Sequence, residues 1–95
     1  MTYRVDLIAS AQAELRGLPG NVRSRVLKQL HRLGQHPYPS NSRRLSGDLR
    51  GIVRVRVGDY RVAYRVLDDE SRIRVLAIGH RAKFYDDLAR RQTEA

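Results

Sequence analysis

Cysteine and tryptophan are absent from this chain of 95 residues, phenylalanine occurs once, and only three residues are proline. Without cysteine there can be no disulfide and no thiolate metal site. Lysine is nearly missing as well: of the 19 basic residues only Lys28 and Lys83 are lysine, and the rest are arginine. No secretory leader opens the chain and no apolar run reaches membrane-spanning length, so a cytoplasmic protein with no membrane contact is expected. There is no glycine-rich phosphate loop, no Cys/His ligand spacing, no Ser-His-Asp arrangement and no paired-carboxylate signal. Neither a metal nor another cofactor is expected.

What is present is arginine. Ten acids leave a formal net charge of +9 and a pI near 11. Arginine is suited to bidentate contact with phosphate and to stacking on bases. A polyanionic partner is implied, nucleic acid before membrane, since no basic helix carries a strong apolar face. The length fits one domain, residues 1–95, with a single modest core.

The organising stretch runs from Arg50 to Tyr85 and reads as three successive strands, Ile52–Val57, Tyr60–Leu67 and Ile73–Ile78. Gly58-Asp59 closes the first hairpin as a two-residue turn. That turn sets Val57 against Tyr60, Val55 against Val62 and Val53 against Tyr64, an apolar side. The other side carries Arg54, Arg56, Arg61 and Arg65, with Ile52 and Ala63 among them. Arg56 falls directly opposite Arg61, a destabilising placement unless the side chains splay or hold an anion. Asp59 is the only acid between Arg50 and Leu67. A four-residue loop at Asp68–Ser71 sets Arg74 opposite Arg65 and Ile78 opposite Arg61, and His80 is expected to extend the cationic side.

Ahead of this, Tyr3–Leu7 alternates like a strand with one buried face. Ser10 is a candidate N-cap for a helix from Ala11 to about Leu18. A second helix is expected from Asn21 to Leu33, with Val22, Val26, Leu30 and Leu33 as its apolar stripe and Gly34 as its stop. Both helices should cover the Val/Tyr side of the hairpins. Residues 35–46 read as a polar loop anchored by Leu45 and Leu49. A short helix is expected at 84–91, followed by four frayed residues.

A site built from arginine, histidine and tyrosine can cleave RNA without a metal. The 2′-hydroxyl attacks the adjacent phosphorus, arginines stabilise the developing charge, and one group protonates the leaving 5′-oxygen. His80 and Tyr85 are the candidates for proton transfer. Arg54, Arg56, Arg65, Arg74 and Lys83 are candidates for holding the phosphate backbone. His31 and His36 have no convergent partners and are read as structural or surface residues.

The residues resemble the RelE/ParE superfamily of bacterial toxins over nearly the whole chain. The specific segment is Arg54-Val55-Arg56-Val57-Gly58-Asp59-Tyr60-Arg61-Val62-Ala63-Tyr64, followed by Ile78-Gly79-His80-Arg81 and Tyr85. Tyr3-Arg4-Val5, Ala13-Glu14-Leu15 with Leu18-Pro19, and Leu45-Ser46-Gly47 match more loosely. The resemblance implies a RelE-like α+β fold: two N-terminal helices on a mainly antiparallel four-stranded sheet, and a short C-terminal helix. It implies a type II toxin, in most of the RelE branch a ribosome-dependent mRNA endonuclease, neutralised by a cognate antitoxin in a hetero-oligomer. By position, Arg61 matches the phosphate-stabilising arginine and Arg81 the arginine near the leaving group. Tyr85 matches the tyrosine that orients or activates the nucleophile, and Arg54 a basic residue of the central strand. The sequence departs from relatives with two lysines on that strand, having Ile52 and Arg54 there, and arginine is a poor general base. The alternatives are the ParE branch, which inhibits DNA gyrase and is no nuclease, and a non-catalytic RNA-binding protein.

Overall fold

The computed structural model describes residues 2–94. Its strands are β1 (Arg4–Leu7), β2 (Ser42–Arg44), β3 (Val53–Val57), β4 (Tyr60–Leu67) and β5 (Arg72–His80). Its helices are α1 (Ala9–Arg16), α2 (Gly20–Gln35) and α3 (Arg81–Glu94). The strands form one sheet in the order β1-β5-β4-β3-β2, antiparallel except where β1 runs parallel to β5. The α+β class is as expected, with five strands rather than four. The added strand, β2, lies within the stretch read as loop. Its three polar residues carry no hydrophobic alternation, and it pairs because β3 offers an edge, Arg43 lying opposite Arg54.

The first hairpin has the expected register, with Val57 opposite Tyr60, Val55 opposite Val62, Val53 opposite Tyr64 and Arg56 opposite Arg61. Gly58 sits at φ +61 while Asp59 stays out of the left-handed region, the order found in type II′ turns. The side chains of Val53, Val55, Val57, Val62, Tyr64, Ile73, Val75 and Ile78 form the larger core with Val26, Leu30 and Leu33 of α2 and Ala11 of α1. The Tyr64 hydroxyl donates to the Pro37 carbonyl at 2.6 Å and pins the loop before β2.

Three local expectations are corrected. Helix α1 begins at Ala9, so Ser10 lies inside it and caps nothing. Ile8 precedes it, its N–H still bonded to the Val75 carbonyl at 3.1 Å and its side chain packed on both cores. Gly34 lies within α2 and does not stop it. A Cβ there would stand 2.9 Å from the Tyr3 carbonyl, so this glycine is required by the close approach of β1 to the helix. Helix α3 is longer than expected at both ends and includes residues 92–94, which were read as frayed.

The second hairpin keeps Arg65 opposite Arg74, then departs from the expected register. A bulge leaves Leu76 without a partner on β4, since Tyr64 faces Val75 and Ala63 faces Ala77. Arg61 therefore faces Gly79 and not Ile78, and His80 faces Tyr60. Opposed residues share a face, so His80 belongs to the Tyr60 side and not to the cationic side. Its ring meets that of Tyr60 edge-on at 5.4 Å.

The bulge also builds a second, smaller core. Leu76 and Ala77 join Ile52 and Ala63 on the arginine side, where Phe84 and Leu88 of α3 cover them. Each buried large side chain of this kind contributes about 1.5–3 kcal/mol. The far end of α3 is tied down by a half-buried ion pair. Arg91 donates through both Nη atoms to the two carboxylate oxygens of Glu14 on α1, each at 2.9 Å. Glu14 also accepts from the Ile78 N–H at 3.0 Å, and Arg91 donates to the Leu76 carbonyl at 3.1 Å. The pair thus satisfies backbone groups of β5 beyond the point where β1 stops.

Glu14→Ala should lower stability by about 2 kcal/mol, because it strips both the guanidinium and a backbone N–H of their acceptor. Hydrogen exchange should accelerate in α3 more than in α2. Equal acceleration in both helices would show that the ion pair does not hold α3 in particular.

Candidate nucleic-acid interface

The arginine face is built by the alternation of β3 and β4, which sends every second side chain away from α1 and α2. Arg54 is its centre. It lies opposite Ala63 on β4 and Arg43 on β2, and only 6% of its surface is exposed. Its Nε is sealed from solvent with no hydrogen-bond partner among the described residues. Burial pulls the Arg54 guanidinium below the usual arginine range, and Arg56, Arg43 and Arg61 push the same way, while Tyr85 opposes them. A buried cation ringed by cations is costly unless an anion answers it.

Around Arg54 the face is open. Arg56 is exposed and Arg61 half-buried, with one Nη of Arg61 bonded to the Tyr60 carbonyl at 3.4 Å. Tyr85, on the first turns of α3, is 39% exposed and packs edge-on against Phe84 with ring centroids 5.0 Å apart. Arg81 opens α3 and is held beside the hairpin, its N–H donating to the Asp59 carbonyl at 3.2 Å. The smaller core therefore sets the first turns of α3 against the strand ends that bear Arg54, Arg56 and Arg61.

Of the other residues expected at the interface, Arg74 and His80 sit elsewhere. Arg74 is engaged by Asp6 at 3.6 Å, at the other end of the β4–β5 ladder. Arg65 is half-buried, its guanidinium lying against Gly51. Lys83 is exposed in the first turn of α3. His80 is exposed on the opposite side of the sheet, as described. Arg43 was overlooked, because the polar run around it gave no strand signal, and only its pairing with β3 brings it to Arg54. Among the described residues no group of three or more histidines and carboxylates is placed to hold a metal ion. Among them, too, no helix is long and apolar enough to cross a membrane.

Comparison with known proteins agrees with the resemblance seen in the sequence. A family model described as the ParE toxin of type II toxin–antitoxin systems matches residues 5–85. The chain is 31% identical over 91 residues to the toxin RelE of Mycobacterium tuberculosis (strain ATCC 25618 / H37Rv), covering 87% of this chain and 86% of the relative. Among solved structures it is similar to the RelBE2 toxin–antitoxin complex of M. tuberculosis, with TM-score 0.77 and 27% identity, over 85% of this chain and 100% of that one. It is similar to the archaeal RelE–RelB complex of Pyrococcus horikoshii OT3, with TM-score 0.75 and 31% identity, over 87% and 99% of the two chains. A double arginine-to-alanine mutant of Escherichia coli toxin RelE in the free state superposes with TM-score 0.77 at 25% identity, over 96% and 98%. The matched residues take in most of both cores and the arginine face between β2 and the start of α3, so the chain belongs to the RelE/ParE superfamily of toxins of type II toxin–antitoxin systems.

Proposed function

We propose that this toxin is a metal-independent endoribonuclease that cuts messenger RNA on the ribosome. The observation that carries the reading is Arg54, a buried guanidinium with an unanswered Nε, among Arg43, Arg56 and Arg61 and beneath Tyr85. A phosphodiester brought to this face supplies the missing negative charge. In the reaction the 2′-oxygen forms a bond to phosphorus, the bond from phosphorus to the 5′-oxygen breaks, and the 5′-oxygen takes a proton. Arg61 and Arg54 answer the charge that grows on the non-bridging oxygens. Arg81, at the start of α3, serves the leaving group. Tyr85 orients the attacking hydroxyl, and its place on the arginine face gives it preference over His80 for proton transfer. RNA is required because DNA has no hydroxyl to attack with.

A cognate antitoxin belongs to the same reading. The M. tuberculosis and P. horikoshii neighbours were solved as complexes with RelB partners. For this chain a partner with acidic and apolar residues suits a cationic face bordered by α3.

One observation favours a second reading. The matching family model carries the ParE name, and His80 stands on the wrong side of the sheet to pair with Tyr85 as acid and base. A gyrase inhibitor using the same arginines without nuclease activity would have these features. Induction in cells followed by mapping of RNA 5′ ends separates the two. New ends inside translated messages support the ribonuclease, whereas intact messages with DNA damage signalling support the gyrase inhibitor.

Arg61→Ala and Arg81→Ala should each lower single-turnover cleavage on programmed ribosomes by about a hundredfold or more at saturating protein. Arg16→Ala, at an exposed position on α1, should leave the rate unchanged. Growth on induction should recover with the first two variants only. Cleavage at the parent rate by both would leave a face that binds and does not catalyse.

Antitoxin binding should slow hydrogen exchange around Arg56, Arg61 and Arg81, or free α3 so that its exchange quickens. A complex that leaves the arginine face and α3 unchanged would place the antitoxin elsewhere.

A further inference from the structure

A second cationic surface lies outside the arginine face. Helix α2 has no acidic residue in its 16 positions. Arg25, Lys28 and Arg32 recur at spacings of three and four, which stacks them on one side of the helix. Like charges so placed cost a few tenths of a kcal/mol per pair and are kept apart unless something answers them. Together with Arg56, Val57 and Gly58 of the hairpin they line a groove of about 260 Å³. Gly58 lets the Arg25 guanidinium approach to 3.2 Å from where a side chain would begin. Gln29 lines the groove too, only 9% exposed, with no side-chain hydrogen bond among the described residues. The NH2 of an amide among four cations can donate to an acceptor that they draw in.

Arg56 connects this groove to the arginine face. The β2–β3 ladder ends where Ser42 meets Val55, so Arg56 stands at an open strand edge. Its backbone carbonyl is fixed there by the Asn41 side chain at 3.2 Å. Its side chain faces Arg61 by register and also lines the groove.

We propose that the groove between α2 and the β3–β4 turn binds the sugar-phosphate backbone of the same single RNA strand that crosses the arginine face. Arg56 is the point where the strand rounds the sheet edge. Arg25, Lys28 and Arg32 neutralise successive phosphates, and the Gln29 amide donates to a phosphate or ribose oxygen. The choice of RNA rests on the ribonuclease reading. The choice of a single strand follows from a track that bends around an edge, which a flexible strand can follow and a stiff duplex cannot.

The test uses the full chain and RNA oligonucleotides methylated at every 2′-oxygen, which bind but cannot react, so that binding is read apart from cleavage. Oligonucleotides of about four nucleotides should reach only the arginine face, whereas about twelve should also fill the groove. The longer strand should bind more tightly. Arg25→Glu and Arg32→Glu should each remove about tenfold of its affinity and flatten its salt dependence, with little effect on the shorter strand. Arg16→Glu makes the same change in net charge at an exposed site on α1 and should cost far less. Gln29→Leu should weaken the longer strand while leaving the melting temperature about unchanged, because no side-chain hydrogen bond seen among the described residues is lost. Equal losses at Arg16, Arg25 and Arg32 would reduce the effect to overall charge and overturn the proposal. So would the absence of a length effect, or tighter binding of a duplex of the same length. Failure of the ribonuclease reading appears differently, as unmodified messages left intact on ribosomes.

Discussion

Leu76, the one residue of β5 with no partner on β4, decides how the two sides of the sheet are used. Before it, β5 follows the alternation set by the Asp68–Ser71 turn. After it, every side chain has changed sides. Two consecutive residues, Leu76 and Ala77, thereby face α3 and give Phe84 and Leu88 a surface to bury. Gly79 arrives beside Arg61, where a side chain would meet the Phe84 ring. The backbone groups at Leu76 and Ile78 become the anchor for Arg91 and Glu14. Placement of Arg81 and Tyr85 against the arginines depends on all of this. Bulges re-aim side chains at the cost of local pairing.

The arginine side carries two opposed demands. Its outer part must bury apolar surface under α3, and its inner part must remain open with like charges adjacent. Arg54 lies on the boundary, as deeply buried as the apolar residues beside it and flanked by Arg43, Arg56 and Arg61. Hydrophobic burial under α3 offsets the electrostatic cost of holding Arg54 there. An arrangement that is unfavourable alone and relieved by an anion is a preorganised binding site, since the repulsion has already been met before the ligand arrives.

Much of this was legible in the chain. The Gly58-Asp59 turn gave the β3–β4 register residue by residue, because a two-residue turn admits one pairing. The valine and tyrosine alternation gave the buried side and the helices that cover it. The bulge was not legible. Leu76-Ala77-Ile78 is uniformly apolar, and a sequence without alternation says nothing about which of its residues lies unpaired. His80 was misplaced for that reason alone. Strand β2 was hidden because its partner makes it a strand, and Arg43 was hidden with it. Gly34 and Ser10 carried the usual signals of helix ends, and contacts with β1 and the position of Ile8 overrode them.

The parallel pairing of β1 with β5 has a consequence for the birth of the protein. Arg4 and Arg72 are neighbours in the sheet yet more than two-thirds of the sequence separates them. During synthesis β1 must wait for β5 to emerge, and α3 follows later still. Until then neither core can close, and the arginine face lacks the helix that shapes one of its borders. Long-range pairings of this kind are slow to form. A ribosome making this chain therefore carries it unfinished in shape until β5 and α3 have both emerged, and the competent surface appears only then.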